Sequence, residues 1–121
     1  MPHELFINHD LNYVHLTYQG EVDFEERKTA RDEVFQACEN NGMARALVDM
    51  RESNIRMTEQ DVVNFATNFQ RAMQLPNYRL ACVVTPQNQV ENLVEIIITL
   101  EGINVKYFLS FKDAEHWLTA V

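Results

Sequence analysis

Asp49 and Arg51 are the residues of this 121-residue chain best placed for chemistry. They alternate at the end of the apolar run Ala46-Leu47-Val48, and open α/β sheets collect ligands at the carboxyl ends of their strands. There the pair would hold a small polar group or a partner's charged residue. The plainer alternative is that Asp49 satisfies loop N–H groups while Arg51 pairs with a nearby acid. Ser53 and Thr58 are the hydroxyls of the stretch 49–58 suited to regulation, because phosphate beside a helix N-terminus is electrostatically favoured. Each also has a structural reading, Thr58 as a helix cap and Ser53 as a turn residue.

Other reactive side chains are scattered. His3, His9, His15 and His116 show neither i, i+4 pairing nor Cys/His spacing, so no metal and no cofactor is expected. His9-Asp10 is an acid-base pair in name only, since neighbours in a turn seldom point together, and no Gly-x-Ser-x-Gly elbow accompanies it. A hydrolase or isomerase using His9 or His116 would need distant residues to converge, and the reading is not an enzyme. Glu21, Asp23, Glu25 and Glu26 complement a helix dipole more simply than they form a carboxylate site. Cys38 and Cys82 fall in a helix and a central strand, where small buried thiols are common, which fits a reducing compartment.

These groups have to be positioned by one domain spanning 1–121. With 46% hydrophobic and 23% charged residues and only three Gly and three Pro, the chain has ordinary globular composition. Its formal charge of −8 repels phosphates and anionic membrane surfaces, which disfavours nucleic acid as a partner. Met1-Pro2-His3-Glu4 is not a charged leader, and no apolar run approaches the roughly 18 residues that span a bilayer. A cytoplasmic protein without membrane insertion is expected.

The elements follow from periodicity and punctuation. Residues 4–20 read as a hairpin around Asn8-His9-Asp10-Leu11-Asn12, with Val14, Leu16 and Tyr18 on one face. Asp23-Phe24-Glu25-Glu26 caps a helix whose face is Phe24, Ala30, Val34, Phe35 and Cys38 and which stops at Asn40-Asn41-Gly42. Ala46-Leu47-Val48-Asp49-Met50, Leu80-Ala81-Cys82-Val83-Val84 and Val105-Lys106-Tyr107-Phe108-Leu109 lack clean alternation, as strands buried on both faces do. Thr58-Glu59-Gln60-Asp61 caps a second helix with the stripe Val62, Phe65, Ala66, Phe69 and Met73. Thr85-Pro86 reads as cap and first helical position of a third helix, with Val90, Leu93, Val94, Ile97 and Leu100 as its core face. Ile96 and Ile98 then lie off that face and widen the apolar arc beyond one sheet contact. Val94, Ile96, Ile97 and Ile98 therefore make a candidate interface or pocket, either a homodimer seam or, with Met43, Met57 and Met73, the lining of an apolar site. Ala114, Trp117 and Leu118 face inward from a last helix. The order is β-β-α-β-α-β-α-β-α.

This order, together with Tyr18-x-Gly20 before the first helix, the strand 46–51 and the ending Phe111-x-Asp113-Ala114-Glu115-x-Trp117-Leu118, resembles the SpoIIAA-like group within the STAS and Sec14-like fold families. The resemblance implies an α/β domain with a mixed sheet of about five strands and helices mainly on one side. It also implies two functional styles. One is the anti-sigma-factor antagonist, switched by phosphorylation at a site that usually reads Asp-Ser-x-Gly. The matching loop here, from Asp49 to Thr58, lacks both the Asp-Ser pair and the glycine. The other is a compact, often dimeric domain that accommodates a lipid or other apolar molecule between helices and sheet. The reading is a non-enzymatic regulatory or protein-interaction module, dimerising through the third helix and presenting 49–58 to a regulatory protein. Its alternative is a small binding protein for an apolar metabolite.

Overall fold

A hairpin opens the chain in this computed structural model, which describes residues 2–120, so that Met1 and Val121 of the expected domain lie outside it. β1 (His3–Asn8) pairs antiparallel with β2 (Tyr13–Asp23) across a turn where Asn8 Oδ1 accepts from the Leu11 N–H at 2.9 Å. Asp23 then caps α1 (Phe24–Asn41) by accepting from the Glu26 N–H. Gly42, at φ 63°, ends the helix in the left-handed conformation that favours glycine. β3 (Arg45–Arg56), α2 (Glu59–Ala66), β4 (Arg79–Val83), α3 (Val90–Leu100), β5 (Asn104–Phe108) and α4 (Phe111–Thr119) follow.

The five strands lie side by side in sequence order, and β2 to β5 are parallel. Right-handed crossovers that always step in the same direction put their helices on one face. Accordingly α1, α2 and α3 share a core with Val14, Leu16, Tyr18, Val48, Leu80 and Cys82. Among the described residues the opposite face carries only α4, whose Ala114 and Leu118 close on Tyr13, Leu47, Ala81 and Val83. The mixed five-strand sheet with helices mainly on one side is therefore the architecture. No helix among the described residues is long and apolar enough to cross a membrane.

Three expected elements differ. The helix capped by Thr58 stops at Ala66, short of Phe69 and Met73. There the Thr67 hydroxyl donates to the Val63 carbonyl at 2.7 Å and Asn68 Nδ2 to the Asn64 carbonyl at 2.6 Å, so side chains satisfy the last carbonyls. A 3-10 turn (Gln70–Gln74) resumes the path and leaves Met73 exposed. Phe69 stays in the core because its ring meets Phe35 and Phe65 edge-on at 5.6 and 5.4 Å, contacts worth about 0.5–1.5 kcal/mol each beyond area burial. Thr85 is not a helix cap: the Asn88 amide oxygen accepts from the Thr85 N–H and hydroxyl, and α3 begins only at Val90. Finally α3 is rotated from its expected face, burying Glu91, Val94 and Ile98 and leaving Leu93 and Leu100 exposed.

Candidate functional site

The stretch 49–58, expected as a loop, is instead strand for most of its length. β3 runs to Arg56 because it keeps pairing with β2 after a bulge that sets Thr17 against Asp49 and Gln19 against Glu52. β4 pairs with β3 only as far as Asp49 and Val83. The pairs from Gln19–Glu52 to Asp23–Arg56 thus form a two-strand parallel ribbon that overhangs β4. On its β3 side Glu52, Asn54 and Arg56 are exposed, as is Arg51 just before them.

Asp49 and Arg51 meet each other. Asp49 Oδ1 accepts from the Arg51 backbone N–H at 3.1 Å and from its Nε at 3.0 Å, and Arg51 Nη2 donates to Oδ2 at 2.8 Å. Burial pushes the Asp49 carboxyl up, but the hydrogen bonds from Arg51 outweigh this and hold it below the usual carboxylate range. The Ser53 hydroxyl donates to the Met50 carbonyl at 2.8 Å across the bulge. Thr58 caps α2 reciprocally with Asp61, each side chain accepting from the other's backbone N–H at 3.1 Å. The ribbon is thus fixed by local bonds, and beyond Asp49 the outer edge of β3 pairs with no further strand among the described residues.

Of the four α3 residues expected to share a surface, Val94 and Ile98 are 0% and 1% exposed and belong to the core. Ile97 is half-buried, and only Ile96, at 56%, faces solvent. The exposed stripe is Leu93, Ile96 and Leu100, at helical spacing i, i+3, i+7. Of its members Ile96 was expected, whereas Leu93 and Leu100 were assigned to the core face, because Glu91 turns the helix inward.

Glu91 is the feature that sequence reasoning missed. It is 1% exposed and forms a bidentate ion pair with Arg27 of α1, itself 3% exposed. Arg27 Nη2 donates to Oε1 at 2.6 Å, Nη1 donates to Oε2, and the Tyr107 hydroxyl donates to Oε1 at 2.8 Å. The guanidinium also lies 4.4 Å from the centre of the Phe65 ring. Burial opposes charge on Arg27, yet Glu91 overrides it and the group stays cationic. A signal existed in the sequence: Arg27 precedes Ala30 and Val34, and Glu91 precedes Val94 and Ile98, at core-face spacing.

Arg27 also lines a cavity of about 30 Å³ between the three helices and the sheet. Leu16, Val34, Val48, Phe69, Leu80 and Ile98 are among its walls, with Arg31 and Tyr107. Arg31 is engaged, donating from Nε to Asp32 Oδ1 and from Nη1 to the Phe65 carbonyl, each at 3.1 Å. Arg27 Nε is buried and has no hydrogen-bond partner among the described residues.

The remaining candidates lie apart. His9 sits in the hairpin turn and His116 on α4, both exposed, and neither is hydrogen-bonded to an acid among the described residues. No cluster of His, Cys, Asp or Glu there could hold a metal. Both cysteines are buried free thiols, and burial pushes Cys38 up to about 12 and raises Cys82 as well.

The SpoIIAA-like family model matches residues 13–119 of the chain. Solved structures share its fold, two of them as follows. One is an uncharacterised protein of the DUF3478 family with a SpoIIAA-like fold from Shewanella loihica PV-4, at 16% identity and TM-score 0.63, covering 96% of this chain and 93% of that one. Another is the anti-sigma factor antagonist SpoIIAA in its unphosphorylated form, at 12% identity and TM-score 0.66, covering 98% and 99%. No curated protein matches.

Proposed function

The chain belongs to the SpoIIAA-like family, and we propose that it acts as a non-enzymatic regulatory module that binds a protein partner through the β2–β3 ribbon. The observation behind this reading is the outer edge of β3 beyond Asp49, which pairs with no further strand among the described residues. An extended peptide can add there as a further strand, taking affinity from backbone hydrogen bonds and sequence preference from Arg51, Glu52, Asn54 and Arg56. A regulatory protein as partner is inferred from the likeness to an anti-sigma factor antagonist. Photocrosslinking from position 54 in the native cell tests it. The double variant Arg51→Glu, Arg56→Glu, folded by circular dichroism, should lose the crosslinked partner; undiminished capture would overturn the reading.

In this proposal a second copy covers α3. Leu93, Ile96 and Leu100 form a stripe at the spacing of a helix–helix seam, and a two-fold contact sets the same stripe against itself. Ile96→Asp should convert a sedimenting dimer to monomer with little change in stability. A wild-type monomer at high concentration would remove the dimer.

The cavity beside Arg27 favours a second reading, a small binding protein for an apolar molecule. Native mass spectrometry separates the two. An extra mass that leaves on denaturation supports the binding protein, whereas bare chains support the module.

A further inference from the structure

We infer that the cavity receives an uncharged hydrogen-bond acceptor at the end of an apolar molecule, such as a ketone, ester, amide or protonated acid, and that Arg27 Nε–H recognises it. This rests on the second reading above and names the chemistry of its ligand. Buried donors are almost always paired, so an orphaned guanidinium N–H lining a cavity marks the place where an acceptor is missing. Of the four Nη–H donors of Arg27, two go to Glu91 and the other two to the sulfurs of Met57 at 3.9 Å and Met50 at 3.7 Å, while Tyr107 takes a further lone pair of the carboxylate. One directed N–H is left for a ligand.

Charge decides what kind of acceptor fits. The Arg27–Glu91 pair is already neutral, and Arg31 is committed to Asp32 and the Phe65 carbonyl. A carboxylate placed in this apolar lining would add an unmatched buried negative charge, which low-dielectric surroundings oppose. A neutral carbonyl satisfies the N–H without that cost. Size decides how much of the molecule enters. A volume of about 30 Å³ takes a polar head of a few atoms. In this assignment the apolar remainder passes Arg31 and Phe69, which are among the cavity's walls.

The test titrates wild-type protein with methyl pentyl ketone, n-heptane and heptanoate, at a pH of about 8 where heptanoate is ionised. The Arg27 Nε–H resonance and the methyls of Leu80 and Ile98 are followed by NMR. The ketone should shift the Arg27 Nε–H and bind on the order of tenfold more tightly than heptane, with heptanoate weakest. If ketone and heptane move the methyls equally while Arg27 stays still, the acceptor inference falls and apolar binding stands. If no probe moves the methyls, water alone fills the space and both fall. Val34→Phe, which fills the cavity and leaves Arg27 in place, should abolish the ketone shift, and a folded variant that still binds ketone would overturn the assignment.

Discussion

Strand β2 separates two unlike halves of the core. Val14, Leu16 and Tyr18 point toward α1, α2 and α3, into a layer that holds a buried ion pair and a cavity. Tyr13 points the other way, into a layer closed by α4 with Leu47, Ala81, Val83, Ala114 and Leu118. The second layer keeps its polar atoms at the rim, where the Tyr13 hydroxyl donates to Glu115 at 2.6 Å. A core built only for stability resembles the α4 side. Charges retained in the three-helix side at a desolvation cost point to recognition or to fixing the arrangement of α1 against α3.

Breaking the ion pair should produce the largest effect in the molecule. Glu91→Ala leaves the Arg27 charge buried and unmatched and should lower stability by about 3–5 kcal/mol in urea denaturation. Replacing both, as Arg27→Met with Glu91→Leu, should recover most of that loss, because the penalty belongs to the unmatched charge. A double variant as unstable as the single one would mean that the pair itself stabilises the fold. On the α4 side, Leu118→Ala removes fully buried apolar contact and should cost about 2–4 kcal/mol, with no partner substitution able to restore it. Equal rescue on both sides would erase the contrast between them.

The same contrast explains what the sequence could show. Caps and turns are local, and Asp23, Gly42 and Thr58 stand where their residue types place them. The order of strands and helices follows from short-range periodicity. Arg27 and Glu91 are 64 positions apart, and nothing local in either helix tells which acid meets which base. Without that pairing α3 was oriented by hydropathy alone, which put Leu93 and Leu100 inside and Ile98 off-centre. The early end of α2 was hidden for another reason: Phe69 keeps the apolar rhythm although the backbone has already broken. The extent of β3 was also not local, since residues 52–56 are strand only through their pairing with β2.

The smallest expected effect separates the two sides by sign. His3 enters the three-helix layer, with Nδ1 against Glu26 and Nε2 3.3 Å from both Glu33 oxygens. Burial opposes its protonation, but hydrogen bonds to Glu26 and Glu33 outweigh this and raise its pKa above 6.5. His15 lies on the α4 side, its ring 5.4 Å from that of Phe111. There burial prevails over Asp49 and Glu115 and lowers the pKa below 6.5. Folding therefore takes up a proton at His3 and excludes one at His15. The His3 contribution is complete below the unfolded value of 6.5 and is lost as pH rises through the higher folded pKa. The His15 contribution is complete above 6.5 and is lost as pH falls through the lower folded pKa. In stability profiles from about pH 5 to 8, above the main carboxylate titrations, His3→Gln should remove a decline on the alkaline side and His15→Gln one on the acid side. Two variants that bend the profile in the same direction would show that the environments on either side of β2 are not opposed.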